Sequence, residues 1–220
     1  VSDVKSGLPV ALKITPANTH DSEVVTDLLT QCTNNIQSHV SYYTMDAAYD
    51  QHGIYELIRD KYHAQAIIPL NKRGAKQPPA GFDWDGTPIC STGQRMVYWG
   101  SSKGVNKFRC PHILGKCNCP FGSAWCSDSN YGMVVKTSVR KDPRLFTAPH
   151  RDTENWHKIY NQRTYSERLF SRLKENLGLE TGLRVGKHEK VTAHVYLCAV
   201  TMFAAVIAVN KNNKPKVLAA

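Results

Sequence analysis

The sequence predicts an α/β fold interrupted by a β-rich insertion. Three observations predict it: β-branched runs alternating with helical spacing up to residue 70, a Gly-, Pro-, Cys- and Trp-rich stretch over 71–150, and renewed helical spacing from 153. With 220 residues the chain can bury a core, and its 41% hydrophobic content argues against disorder.

The elements follow in order. GLPVALKITPANTHDS reads as a strand that stops at Pro16 and an exit loop. Asp21 should cap a helix over 21–35, with Val24, Val25, Leu28 and Leu29 at helical spacing. HVSYYTMDAAYD then reads as a strand that delivers Asp46 at its carboxyl end, followed by a helix over 51–62 and a strand over 64–70. This β-α-β-α-β order implies that at least the later strands run parallel. The insertion carries short strand-like pieces, QRMVYWG, KFRCPHI and YGMVVKTSV. A helix is expected over 153–177, ending at Gly178. Residues 191–210 are apolar enough to raise a membrane span, but His194, two threonines and the lack of a second such segment favour a helix buried on most sides in a soluble core. The expected organisation is a core over 1–70 and 151–210, an insertion over 71–150, and a frayed tail over 211–220.

Composition narrows the partner. There are 28 Lys and Arg against 18 Asp and Glu, a formal charge of +10 and a pI near 9.3. That balance favours a polyanion, with nucleic acid ahead of an anionic membrane surface and a basic non-binding protein as the alternative. No signal peptide is visible at VSDVKSGLPV. The chain also lacks an initiator Met and starts as though inside a strand, so a fragment is expected.

The chemistry concentrates on one helix. In NWHKIYNQRTYSERLFSRLKENLG, spacings of 3, 4 and 7 separate Tyr160, Arg163, Glu167 and Lys174. On an unbroken α-helix that places them within an arc of roughly 60°. Leu169, Phe170, Leu173 and Leu177 form the docking stripe on the other side. A carboxylate flanked by cations can take a hard divalent ion while Arg and Lys neutralise phosphate oxygens. The alternative is a solvated face with an i, i+4 ion pair between Arg163 and Glu167. Asp46, beyond a strand end where open sheets place their sites, strengthens the first reading. Two such carboxylates are the minimum for metal-assisted phosphoryl transfer, in which ions about 4 Å apart clamp attacking and leaving oxygens.

Tyr160-x2-Arg163-x3-Glu167-x6-Lys174 resembles the Tyr-Arg-Glu-Lys signature of bacterial insertion-sequence transposases of the DDE class. TPANTHDS, DAAYD and the basic insertion agree with it in order, and the resemblance covers nearly the whole chain. It implies an RNase H-like mixed sheet flanked by helices, in a cytoplasmic, nucleoid-associated enzyme that acts on transposon ends and target DNA as a homodimer, without a membrane. Asp46 and Glu167 would be the second and third acids, binding Mg²⁺ or Mn²⁺. Tyr160, Arg163 and Lys174 would grip transposon-end phosphates. The reaction would be hydrolysis at the ends followed by attack of the freed 3′-hydroxyl on target DNA. The departure is the first Asp. Asp3, the only acid before TPAN, matches a non-catalytic acid of the family, so the first catalytic Asp is expected upstream of Val1 and the fragment is expected to be inactive. The alternatives are an RNase H-like nuclease without strand transfer, a remnant or domesticated transposase that only binds DNA, and a zinc-ribbon scaffold unrelated to nucleic acid.

Of the seven cysteines, Cys32 and Cys198 lie in helical segments and read as buried thiols. The other five fall between Cys90 and Cys126. Cys110, Cys117, Cys119 and Cys126 could supply four thiolates to a structural zinc, with Cys90 and His112 as spares, or stand as free thiols in a small β domain or a degraded site. Trp84, Trp99, Trp125 and Trp156 are candidates for stacking on an extruded base, with ordinary packing as the alternative. The basic runs over 72–76 and 138–144 are candidate phosphate contacts or solvated loops.

Overall fold

The computed structural model describes residues 1–122, 125–179 and 186–212. Contacts divide the chain into two compact units, Val1–His39 with Gln162–Ala220, and Val40–Asn161.

The central unit holds two small sheets, a mixed α/β composition. Strand β1 (Tyr42–Thr44) pairs in parallel with β2 (Gln65–Ile67), and helix α2 (His52–Asp60) connects them. The parallel pairing expected from the β-α-β pattern is therefore present, in strands of three residues each. Helix α2 forms because Ile54, Tyr55 and Ile58 fall on one face, and all three are buried. Ile58, Ile67 and Ile68 are fully buried, each contributing about 2 kcal/mol of apolar burial. Helix α3 (Glu154–Asn161) lies against β1 and β2 and buries Trp156.

The stretch over 71–150, read from the sequence as an insertion, holds an antiparallel sheet, β3 (Val97–Ser102), β4 (Val105–Arg109) and β5 (Val134–Ser138), in that spatial order. Its inner face carries an aromatic cluster. The His150 ring stacks on Tyr98 at 5.3 Å and meets the edge of Phe108 at 5.0 Å. Burial of that imidazole favours its neutral form and lowers its pKa to about 4. The loop before β3 turns at Gly86, where φ is +84° and a Cβ would strike the Leu145 carbonyl, so only glycine fits. Arg95 anchors the same loop, pairing with Asp83, Asp85 and Asp152.

The other unit is helical. A 3₁₀ turn (Asp21–Val24) leads into α1 (Val25–Asn35), which buries Val25, Leu29 and Cys32. The cap is His20, whose ring nitrogen accepts from the Ser22 N–H; Asp21, expected to cap, lies inside the first turn instead. Helix α4 (Thr164–Ser171) runs into a π-helical turn (Arg172–Asn176). Leu169 and Leu173 form a cluster with Cys198 and Met202 of α5 (His188–Asn212), so Cys32 and Cys198 are buried thiols as expected.

Four expectations need correction. Residues 11–16 carry no strand pairing; the segment before them makes only an isolated bridge, Ser2 to Pro9. An apolar β-branched run becomes a strand only when a neighbouring edge takes up its hydrogen bonds. The helix expected over 153–177 is interrupted. Tyr165 N–H bonds Gln162 O at 3.0 Å and Ser166 N–H bonds Arg163 O at 2.9 Å, tighter i→i+3 contacts that separate α3 from α4. Phe170, placed in the apolar stripe, is 53% exposed, whereas Leu169 and Leu173 are buried and Leu177 packs against their cluster. Finally, α5 is not buried on most sides. Val195, Cys198, Ala199 and Met202 are buried, whereas Leu197, Val200, Phe203 and Ile207 are exposed. The helix is long and apolar enough to cross a membrane by length and composition, with 22% of its most apolar window buried.

Candidate active site

Asp46 lies two residues beyond β1, at the carboxyl end of a parallel strand. It is exposed, and one carboxylate oxygen accepts the Ala48 N–H at 2.9 Å, capping a 3₁₀ turn (Ala47–Tyr49). The cap fixes the carboxylate at the mouth of the strand pair. Hard oxygen donors held there suit a divalent cation or a water poised on phosphate.

Asp50, four residues on, is a different kind of acid. It is 0% exposed and accepts from the Tyr55 hydroxyl at 2.8 Å, the Asn71 N–H at 2.8 Å and the Arg144 guanidinium at 2.7 Å. Arg151, also buried, donates to the Tyr55 hydroxyl at 2.9 Å and to the carbonyls of Ile68, Leu145 and Arg144. Desolvation, partly offset by Arg151, raises the Tyr55 pKa, so the phenol stays protonated and donates to Asp50. The network ties the start of the insertion (Asn71) and its end (Arg144, Arg151) to the turn that carries Asp46. Sequence reasoning missed it, because nothing in MDAAYD separates a buried acid from an exposed one.

Glu167 and its neighbours stand on α4 and the turn after it. Glu167 is exposed and pairs with Arg163 at 2.8 Å. The i, i+4 relation read from the sequence is therefore real. Lys174 is exposed but sits in the π turn, where the extra residue per turn shifts its direction relative to an α-helix. Tyr160 belongs to α3 in the central unit and stacks on Trp156 at 5.0 Å. The shared arc of Tyr160, Arg163, Glu167 and Lys174 assumed one unbroken helix and does not carry over. What remains is the Arg163–Glu167 pair on its own helix. Asp46 and Tyr160 belong to one compact unit, Arg163, Glu167 and Lys174 to the other.

Asp3 holds a local turn. Its carboxylate accepts the Ser6 N–H and hydroxyl, both at 2.7 Å. Desolvation works against ionisation here, but these hydrogen bonds outweigh it and lower the pKa.

The insertion gathers the cysteines. Cys90, Cys110, Cys117, Cys119 and Cys126 line one pocket with His112, and none of the five is in a disulfide. Among the described residues, no three His, Cys, Asp or Glu side chains are grouped as a metal shell. Of the tryptophans, Trp156 is buried and is removed from the stacking candidates. Trp84 lies under Lys72 at 4.6 Å, Trp99 under Arg109 at 4.4 Å, and Trp125 is exposed and stacked on Phe121 at 4.8 Å. In the basic run over 138–144, Arg144 is committed to Asp50, while Arg140 and Lys141 are exposed.

Compared with known proteins, the chain matches a family model described as a transposase DDE domain over residues 1–203. No curated protein and no solved structure matches it.

Proposed function

Because the chain belongs to the transposase DDE domain family, whose members are metal-dependent enzymes that cleave DNA in transposition, we propose that it carries out cleavage at transposon ends and transfer of the freed 3′-hydroxyl to target DNA. The observation that carries this reading is the family match over residues 1–203. In this reading the fold is an RNase H-like core, Asp46 and Glu167 are its second and third acids, and the protein comes from a bacterial insertion sequence.

Both carboxylates are exposed oxygen donors suited to Mg²⁺ or Mn²⁺. A divalent cation held by these carboxylates would polarise the scissile phosphate and ease deprotonation of the attacking water or 3′-hydroxyl. Asp46 is aimed by its own cap to Ala48. Glu167 is balanced by Arg163, and the same guanidinium can turn to a DNA phosphate when the carboxylate engages a cation, which keeps the local charge compensated. Lys174 adds a point charge for the backbone, and Tyr160 offers an aromatic edge for a base or sugar. The active form in this reading is a homodimer that synapses two ends on the nucleoid. An RNase H-like nuclease would use the same carboxylates, and a domesticated DNA-binding protein would use only the cations.

The test is a strand-transfer assay on DNA that carries the terminal repeats, with the chain joined to a strand bearing the first acid of the triad. Mg²⁺-dependent transfer products that vanish in Glu167→Gln support the proposal. Cleavage without transfer points to the nuclease, and salt-sensitive binding without cleavage points to the binding protein.

A further inference from the structure

We infer that the cysteine-lined pocket of the insertion binds one thiophilic divalent cation of the zinc class, with Cys90 and Cys110 as fixed ligands and two of Cys117, Cys119 and Cys126 supplying the remainder. The site is independent of the transposition reading. It also revises the set drawn from spacing alone, in which Cys90 was only a spare.

Separate parts of the insertion converge on this pocket. Cys90 comes from the loop before β3, Cys110 from the end of β4, and Cys117, Cys119 and Cys126 from the segment after it, yet all five line the same pocket. Cys110 is buried and its N–H bonds Met133 O at 3.0 Å, so the sheet holds it. The chain passes so close there that a Cβ on Gly132 would lie 2.9 Å from the Cys110 Cβ.

The surroundings of the Cys90 sulfur favour a ligand. A tight turn closes through Cys90 N–H to Gln94 O at 2.8 Å and Gly93 N–H to Cys90 O at 2.9 Å. Thr92 Oγ1 lies 3.1 Å from the Cys90 sulfur. The turn and the Thr92 hydroxyl hold the sulfur in place at the pocket wall, the kind of outer support that orients a metal-bound cysteine. His112 lines the same pocket, where its Nδ1 accepts the Cys119 N–H at 3.2 Å and so ties the ring to the cysteine segment.

Thiolates gathered around one small pocket repel one another, and a dication removes that cost while displacing their protons. Since no metal shell is formed among the described residues, the thiols must close in on the ion to the Zn–S spacing of about 2.3 Å.

The experiment is metal analysis of the full chain purified without chelator, beside Cys90→Ser/Cys110→Ser. The expected result is about one zinc per chain, released by a thiol-modifying reagent, and under about 0.2 in the double variant. Because that variant can fail to fold, Co²⁺ is added to demetallated native protein, where a thiolate-to-cobalt charge-transfer band is expected. Under about 0.2 zinc per native chain without a cobalt band, or undiminished zinc in the double variant, overturns the inference.

Discussion

Asp46 and Asp50 stand four residues apart in one short motif and have opposite environments. Asp46 is exposed and accepts a single backbone N–H from its own turn. Asp50 is fully buried and accepts from Tyr55, Asn71 and Arg144. One carboxylate is left accessible for chemistry, and the other is used up in holding the turn against both ends of the insertion. In the proposed reaction Asp46 would be the reacting acid, carried on a turn that the buried Asp50 anchors without taking part.

That division can be broken at several points. The largest effect belongs to the exposed acids. Asp46→Asn or Glu167→Gln is expected to lower metal-dependent cleavage by about 1,000-fold or more, with an unchanged melting temperature. Asp50→Ala reverses the pattern. It leaves Arg144 without its buried partner and should destabilise the fold by about 3 kcal/mol, read as a lower denaturation midpoint. Activity then falls only in proportion to the folded fraction.

The buried His150 gives a pH test. Its folded pKa is about 4 against the ordinary histidine value of 6.5, so the unfolded chain takes up the proton first as pH falls. Stability is therefore full above about 6.5 and is lost progressively down to about 4, by about 3 kcal/mol in total. Denaturation across that window, compared with His150→Gln, isolates the contribution; identical slopes in the two proteins would refute it. A smaller effect is expected for Tyr55→Phe, which removes the hydroxyl linking Asp50 to Arg151 and should cost about 1 kcal/mol. The smallest concerns DNA. Neutralising Lys174 should reduce the slope of log binding constant against log salt by about 1, without changing sequence preference.

Much of this was legible in the residues, for reasons that differ by element. The parallel pair β1–β2 and the helix between them follow from periodicity, since Tyr43, Ile54, Tyr55, Ile58 and Ile67 are buried, and the three strands over 97–138 follow from their β-branched and aromatic runs. Asp46 at a strand end and the Arg163–Glu167 pair follow from local order alone. Long-range partners decide the rest. Asp50 looks no different from Asp46 until Arg144, 94 residues away, reaches it. Cys90 joins the other cysteines only because the insertion folds its loop into their pocket. The strand expected before Pro16 lacked a paired edge, and the helix expected through 153–177 was broken at a joint with neither Pro nor Gly to mark it.

The most direct measurement is Mg²⁺-dependent cleavage of transposon-end DNA by Asp46→Asn and by Asp50→Asn, each in the chain joined to a strand bearing the first acid of the triad, with thermal unfolding followed on the same samples. Asp46→Asn is expected to lose cleavage at native stability, while Asp50→Asn loses stability and keeps its cleavage per folded molecule. Cleavage at the native rate in Asp46→Asn, or an Asp50→Asn protein that is fully stable and inactive, would contradict this division of roles.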